Sequence, residues 1–224
     1  MAQADGGKRA WRQILVSGIV LGAFALAGAA LVAVTEVSTR DIIARNEHDA
    51  LLRSLHEIIP PNRYNNDLAH DTITVEDADY LGTNEPVTVY RARKDGKPVA
   101  AIFTSVAPDG YNGSIHLLVG IYTDGTVAGV RVVSEQETPG LGDKVERSKT
   151  DWITRFAGHT LGNPPRAQWA VKKDGGVFDQ FTGATITPRA VVKAVRNTLI
   201  YFHAHHEAVF ATPGPSAKTH DPHQ

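Results

Sequence analysis

The first strong pattern in the chain is a long stretch without charge. From Ile14 to Val34 it reads ILVSGIVLGAFALAGAALVAV, with no Asp, Glu, Lys or Arg. As a helix this run spans roughly 31 Å at ~1.5 Å per residue, matching a hydrocarbon core of about 30 Å. Gly18, Gly22 and Gly28 are tolerated there, because small residues let membrane helices approach closely. The polar segment 1–13 carries Lys8, Arg9 and Arg12. That charge predicts a cytoplasmic N-terminus and puts everything after Val34 on the far side. A cleaved signal peptide is the competing reading, since Ala27-Gly28-Ala29 resembles a small-residue cleavage site behind a basic start. The apolar run continues past Ala29 to Val34 and is longer than a usual signal core, which favours an uncleaved anchor. Under either reading the remainder lies outside the cytoplasm.

A second helical segment follows, 35–61, stopped by Pro60-Pro61. Ala44, Leu51, Leu52, Leu55, Ile58 and Ile59 fall on or near one face, with Arg45, Glu47, Asp49 and Arg53 between them. It reads as an amphipathic stalk. Residues 62–85 are polar and irregular, with a short strand candidate at Ile73–Val75. From Val87 the period changes to two. Val87 to Ala92 and Val99 to Val106 flank the turn Lys94-Asp95-Gly96-Lys97-Pro98. Ile115 to Tyr122 and Val127 to Val133 flank Thr123-Asp124-Gly125-Thr126, whose Asp-Gly supplies the positive φ of a short hairpin turn. Beyond them the pattern predicts a short helix over 148–158 with Trp152, Ile153 and Phe156 inward, and a strand over Gln168–Val171. The last helix, about Pro188 to Val209, places Val191, Val192, Val195, Leu199 and Phe202 toward a core. Thr187 before Pro188 reads as its N-cap. Residues 211–224 read as a disordered tail. The class is α+β: a single N-terminal transmembrane helix, then one antiparallel-sheet domain, 62–210, with flanking helices.

Composition removes options rather than adding them. The 224 residues include 23 basic and 24 acidic side chains, for a net charge of −1, and no Cys. No long single-sign tract points to nucleic acid. Disulfides, thiolate-held iron–sulfur clusters and Cys nucleophiles are excluded. No Walker loop, nucleophile elbow or strand-borne G-x-G-x-x-G is present. The pairs Asp77/Asp79 and Glu135/Glu137 do not define a hydrolase. His203, His205 and His206 lie on the last helix and His220 and His223 in the tail; no spacing among them completes a metal site.

Candidate chemistry gathers at Phe178-Asp-Gln-Phe-Thr-Gly-Ala-Thr-Ile-Thr-Pro188. Thr185 sits just outside a helix N-terminus, where free N–H groups and the positive dipole end favour a phosphate. The same pattern fits a capped helix and nothing more. Asp179-Gln-Phe-Thr182-Gly183-Ala184-Thr185 also resembles the D-x-x-[S/T]-G-A-T flavinylation motif of FMN-binding domains in Rnf complexes and sodium-translocating quinone reductases. Tyr64-Asn-Asn, Ala107-Pro-Asp-Gly-Tyr111, Glu137-Thr-Pro-Gly-Leu-Gly-Asp-Lys144 and Asp151-Trp-Ile-Thr extend the likeness over most of the chain. Together they look like the G subunit of Rnf/Rsx electron transport complexes.

That resemblance implies a covalent FMN, joined by a phosphoester to Thr185 and installed by a separate flavin transferase. It implies roles around the flavin for Thr182, Gly183, Ala184, Thr187 and Asp179. The loop of Gly140, Leu141 and Gly142 would lie against the ring, with Lys144 near the phosphate or the reduced ring, or simply solvated. The implied function is electron relay on the periplasmic face of the bacterial inner membrane. The implied setting is an ion-translocating ferredoxin:NAD oxidoreductase with further membrane and peripheral subunits. Two alternatives stay open: a related complex that keeps a redox-sensing transcription factor reduced, and an unflavinylated structural subunit.

Overall fold

The structure, a computed structural model, describes residues 4–211. The expected tail, beyond Ala211, and His220 and His223 within it lie outside the described residues. The helix α1 runs without interruption from Ala4 to Ile58. The charge-free span and the helical segment after it are therefore one element. Within it, Ile14–Arg40 is long and apolar enough to cross a membrane. Leu21, Phe24 and Leu26 on this stretch are exposed. The chain divides into two compact units between Leu51 and Leu52.

The second unit is built on a five-stranded antiparallel meander: β1 (Thr72–Val75), β2 (Val87–Lys94), β3 (Lys97–Ala107), β4 (Ile115–Tyr122) and β5 (Val127–Ser134), in that spatial order. A four-residue helix α2 (Ala78–Leu81), capped by the Asp77 carboxylate, joins β1 to β2. The long C-terminal helix α3 spans Ile186–Phe210.

The period-two pattern sets two rows across the sheet. Val89 pairs with Phe103, Phe103 with Val119 and Val119 with Val130. All four are fully buried, and Phe103 meets Tyr201 and Phe202 of α3 edge-on at 6.0 and 6.1 Å. The neighbouring row, Ile102, Gly120 and Gly129, faces the end of α1. Leu55, Ile58 and Ile59 are buried there. Hydrophobic side chains thus cover both faces of the central strands, which is why β3 and β4 read as nearly continuous apolar runs.

Helix α3 is fixed along its length. Thr198 bridges to Ser105 of β3 through a buried hydroxyl pair at 2.8 Å. At its C-terminal end, Arg91 donates to the Ala211 carbonyl at 2.8 Å and Arg93 to the Phe210 carbonyl at 3.1 Å. Asp71 holds both guanidinium groups. Cations at the carbonyl end of a helix satisfy orphan acceptors and the negative dipole end together.

Between β5 and α3 the backbone differs from the expected elements. The helix expected over 148–158 is a short 3-10 segment, Trp152–Phe156. Its three apolar residues are buried as read. The strand expected over Gln168–Val171 is a 3-10 turn, Arg166–Gln168, followed by a single parallel bridge from Val171 to Phe178. Aromatic packing rather than a ladder organises this region. Phe156 stacks on Phe178 at 4.6 Å, and Trp152 meets Phe181 at 5.3 Å.

The row through Gly120 is tight. A Cβ there would lie 2.2 Å from Ile58 Cγ2, whereas one on Gly129 would meet nothing closer than 3.6 Å. Gly120→Ala is expected to destabilise the domain by about 1–3 kcal/mol through overpacking. Gly129→Ala, whose Cβ would make only ordinary van der Waals contact, should cost less than Gly120→Ala, under about 1 kcal/mol. Paired denaturant melts check both.

Candidate functional site

The site begins with the aromatic cluster. Phe178 and Phe181 point inward, and Trp152 Nε1 donates to the Asp179 carbonyl at 2.7 Å. With 178–181 anchored, the next residues turn outward. Ala184 N–H donates back to the Phe181 carbonyl at 3.1 Å. Gly183 takes φ +81° at the third position of this turn, a geometry that selects glycine. Thr185 follows as the N-cap residue of α3, half-buried, with no capping hydrogen bond from its side chain.

Helix α3 therefore starts two residues earlier than the Thr-Pro signal predicts. Thr187 is not the cap. It is buried, and its hydroxyl donates to Glu137. A tertiary partner has claimed the oxygen that local logic assigned to the helix end. The N–H groups of Ile186 and Thr187 head the helix, where no intrahelical carbonyl reaches them, and Pro188 has none.

The facing wall is the loop after β5. Glu137 is only 5 % exposed. Its Oε1 accepts from Asn112 N–H at 3.0 Å and its Oε2 from Thr187. Gly142 closes over this pair. A Cβ on Gly142 would lie 2.7 Å from Glu137 Oε2 and 2.8 Å from Thr187 Oγ1. Leu141 reaches across, with Cδ2 3.5 Å from the Cβ position of Gly183.

The two walls enclose a cleft of about 330 Å³, lined by Tyr111, Glu137, Thr138, Leu141 and Gly142 on one side and Gly183, Ala184, Thr185, Ile186 and Thr187 on the other. Small-molecule sites run from about 300 to 1,000 Å³, so the volume suits part of a flat cofactor. Leu141 and Ile186 stay 39 % and 44 % exposed at its mouth, an apolar surface that a planar ring would cover. The helix N-terminus supplies N–H groups for a phosphate. The residues present fit a flavin phosphate.

Of the residues proposed from sequence, Gly183, Ala184, Thr185, Thr187, Leu141 and Gly142 meet at this cleft. Four do not border it. Thr182 is exposed on the turn. Gly140 makes the loop's own turn at φ +78°. Lys144 is half-buried in the 3-10 turn Gly142–Val145. Asp179 pairs with Lys172 at 2.5 Å and Arg155 at 2.8 Å. The hydrogen bond from Lys172, with the charges of Lys172 and Arg155, holds the Asp179 carboxyl below its ordinary range. Sequence reasoning missed Tyr111, Glu137, Thr138 and Ile186 as wall residues. All four stand inside the motifs that carry the resemblance, but nothing in the pattern marks Glu137 as buried.

The residues 110–200 that carry both walls match the FMN-binding domain family, and residues 1–58 match the RnfG N-terminal region. The chain is 47% identical over 208 residues to the G subunit of the ion-translocating oxidoreductase complex from Shewanella baltica, covering 93% of this chain and 98% of that one. It is 46% identical over 197 residues to the protein of the same name from Vibrio atlanticus, covering 88% and 94%. Shewanella oneidensis NqrC, a solved structure, aligns over 65% of this chain and 75% of its own at 22% identity, with a TM-score of 0.44. The chain belongs to the family of G subunits of ion-translocating oxidoreductase complexes, and its second unit carries the FMN-binding domain.

Two outcomes follow from the polar frame. Thr187→Val removes the hydroxyl that serves the buried Glu137 carboxylate, and should destabilise the domain by about 1–3 kcal/mol. Thr182→Val, on the exposed turn, should stay within about 0.5 kcal/mol. Thermal melts of the flavin-free protein separate them. Burial, with Glu146 and Glu137 nearby, pushes the Glu135 carboxyl up. A raised folded value means the native state keeps its proton longer than the unfolded chain. The contribution of Glu135 is therefore full below its unfolded pKa and falls as pH rises through its folded one. Glu135→Gln should gain melting temperature over the parent at neutral pH, and the gain should shrink toward zero in acid.

Proposed function

We propose that this chain carries one FMN, joined through its phosphate to Thr185, and relays electrons within an ion-translocating oxidoreductase complex. The observation that supports it is the placement of Thr185. Its hydroxyl is free of capping duties, at the head of a 25-residue helix, on the border of a cleft of suitable size and apolarity. In this reading the helix N-terminus holds the phosphate and Thr185 fixes its position. Leu141, Ile186 and Tyr111 cover the ring, while the Glu137–Thr187 pair keeps the walls in register. Gly183 allows Leu141 to approach. When bound, FMN supplies the redox chemistry; the protein binds it, orients it and shields it from water.

A threonine hydroxyl is a weak nucleophile at neutral pH, so attachment requires a flavin transferase. That enzyme forms the Thr185 O–P bond, breaks the pyrophosphate bond of FAD and releases AMP, while the hydroxyl proton leaves. The exposed turn at Thr182 and Gly183, with Asp179 beside it, is the surface that the transferase reads. The anchor within α1 crosses the bacterial inner membrane, with the N-terminus cytoplasmic and the FMN domain periplasmic. Other subunits of an Rnf-type complex pass the electrons that link ferredoxin and NAD.

Denaturing gels of protein from cells that contain the transferase test the attachment. The wild type should show flavin fluorescence after denaturation, and Thr185→Val should lose essentially all of it. Fluorescence that persists in Thr185→Val would sink the assignment of the site.

A further inference from the structure

The carboxylates around the motif mostly have cationic partners: Asp179 with Lys172 and Arg155, Asp174 with Arg189, and Asp109 with Lys193. Glu137 differs. It is the charged side chain that lines the cleft, it is almost wholly removed from water, and no cation among the described residues pairs with it. Its two oxygens are satisfied by neutral donors, the Asn112 N–H and the Thr187 hydroxyl. A charge in such a place is screened poorly and is felt across the cleft.

The position is also over-determined. Glu137 joins three segments: the loop before β4 through Asn112, its own loop through Gly142, and the first turn of α3 through Thr187. Gly110 and Gly142 both close onto it, since a Cβ on either would lie 2.9 or 2.7 Å from a Glu137 oxygen. Asn112 adds a second tie, donating to Thr138 Oγ1 at 3.2 Å.

We propose that Glu137 is a positioning residue for the flavin wall and that its carboxylate also sets the electron affinity of the flavin. A fixed negative charge beside the cleft opposes the arrival of an electron and lowers the reduction potential. The proposal rests on FMN occupying this cleft. The frame and the charge are separable by substitution. In Glu137→Gln the amide oxygen accepts from Asn112 N–H and the amide nitrogen donates to Thr187 Oγ1, which accepts as readily as it donates. Gln keeps both contacts, with the direction of the Thr187 bond reversed, and removes the charge. In Glu137→Ala both contacts are lost.

The experiment compares wild type, Glu137→Gln and Glu137→Ala, each produced with the transferase. Three quantities are read: the melt of the flavin-free form, flavin load by gel fluorescence, and midpoint potential by redox titration. Glu137→Gln should melt and load closer to the wild type than Glu137→Ala does. At the poise where the wild type is half reduced, it should hold on the order of tenfold more reduced than oxidised flavin. Glu137→Ala should melt lower and load poorly. An unchanged or lowered potential in a fully loaded Glu137→Gln overturns the charge role while leaving the Thr185 assignment intact. Failure of Glu137→Gln to load overturns the separation of frame from charge. A wild type without flavin overturns the reading of the cleft, and this inference with it.

Discussion

The candidate site depends on one buried contact, the hydrogen bond from Thr187 to the carboxylate of Glu137. It joins the start of α3 to the loop after β5, and so ties one wall of the cleft directly to the other. Burying a charge without a cation partner is unfavourable unless its oxygens are served by donors. The chain meets that demand with one backbone N–H and one hydroxyl, and it closes the gap with Gly142, where any side chain would collide. The same contact decides where α3 begins. With Thr187 engaged by Glu137, the N-cap position falls to Thr185, whose own oxygen is left without a capping task.

The far end of α3 is held as firmly by different chemistry. Arg91 and Arg93 bind its terminal carbonyls, and Asp71 neutralises both. Between the two ends, the apolar stripe of the helix lies on the row Val89, Phe103, Val119 and Val130. A helix fixed at both ends and along one face gives its N-terminus a defined place relative to the sheet. The aromatic cluster does the same for the segment before it, so the turn at 182–184 projects from a rigid base. Under the proposed attachment at Thr185, ordering entropy already spent in folding would not be lost again on binding.

Much of this is readable from the sequence. The two hairpins declare themselves because apolar runs of strand length are separated by Asp95-Gly96 and Asp124-Gly125, which supply the turns. The span within α1 is plain from its lack of charge. The start of α3 is not, because Thr-Pro is a strong local capping signal and the partner that overrides it is 50 residues away. Residues 148–178 are legible in burial but not in backbone. Trp152, Ile153 and Phe156 face the core as expected, yet short 3-10 turns leave no period for a pattern to show. Glu137 is least legible, since an acidic residue in a Pro/Gly loop ordinarily faces water. Only the geometry of Gly142 and Asn112 reveals that it does not.

If Thr185 is the covalent attachment point, its neighbours Thr182 and Thr187 must stay unmodified. Intact mass spectrometry, followed by peptide mapping, of the protein from cells with the flavin transferase decides between these hydroxyls. The expected spectrum shows a gain of one FMN less one water, confined to Thr185. An unmodified mass, or the same gain on Thr182, Thr187 or any other residue, would refute the assignment.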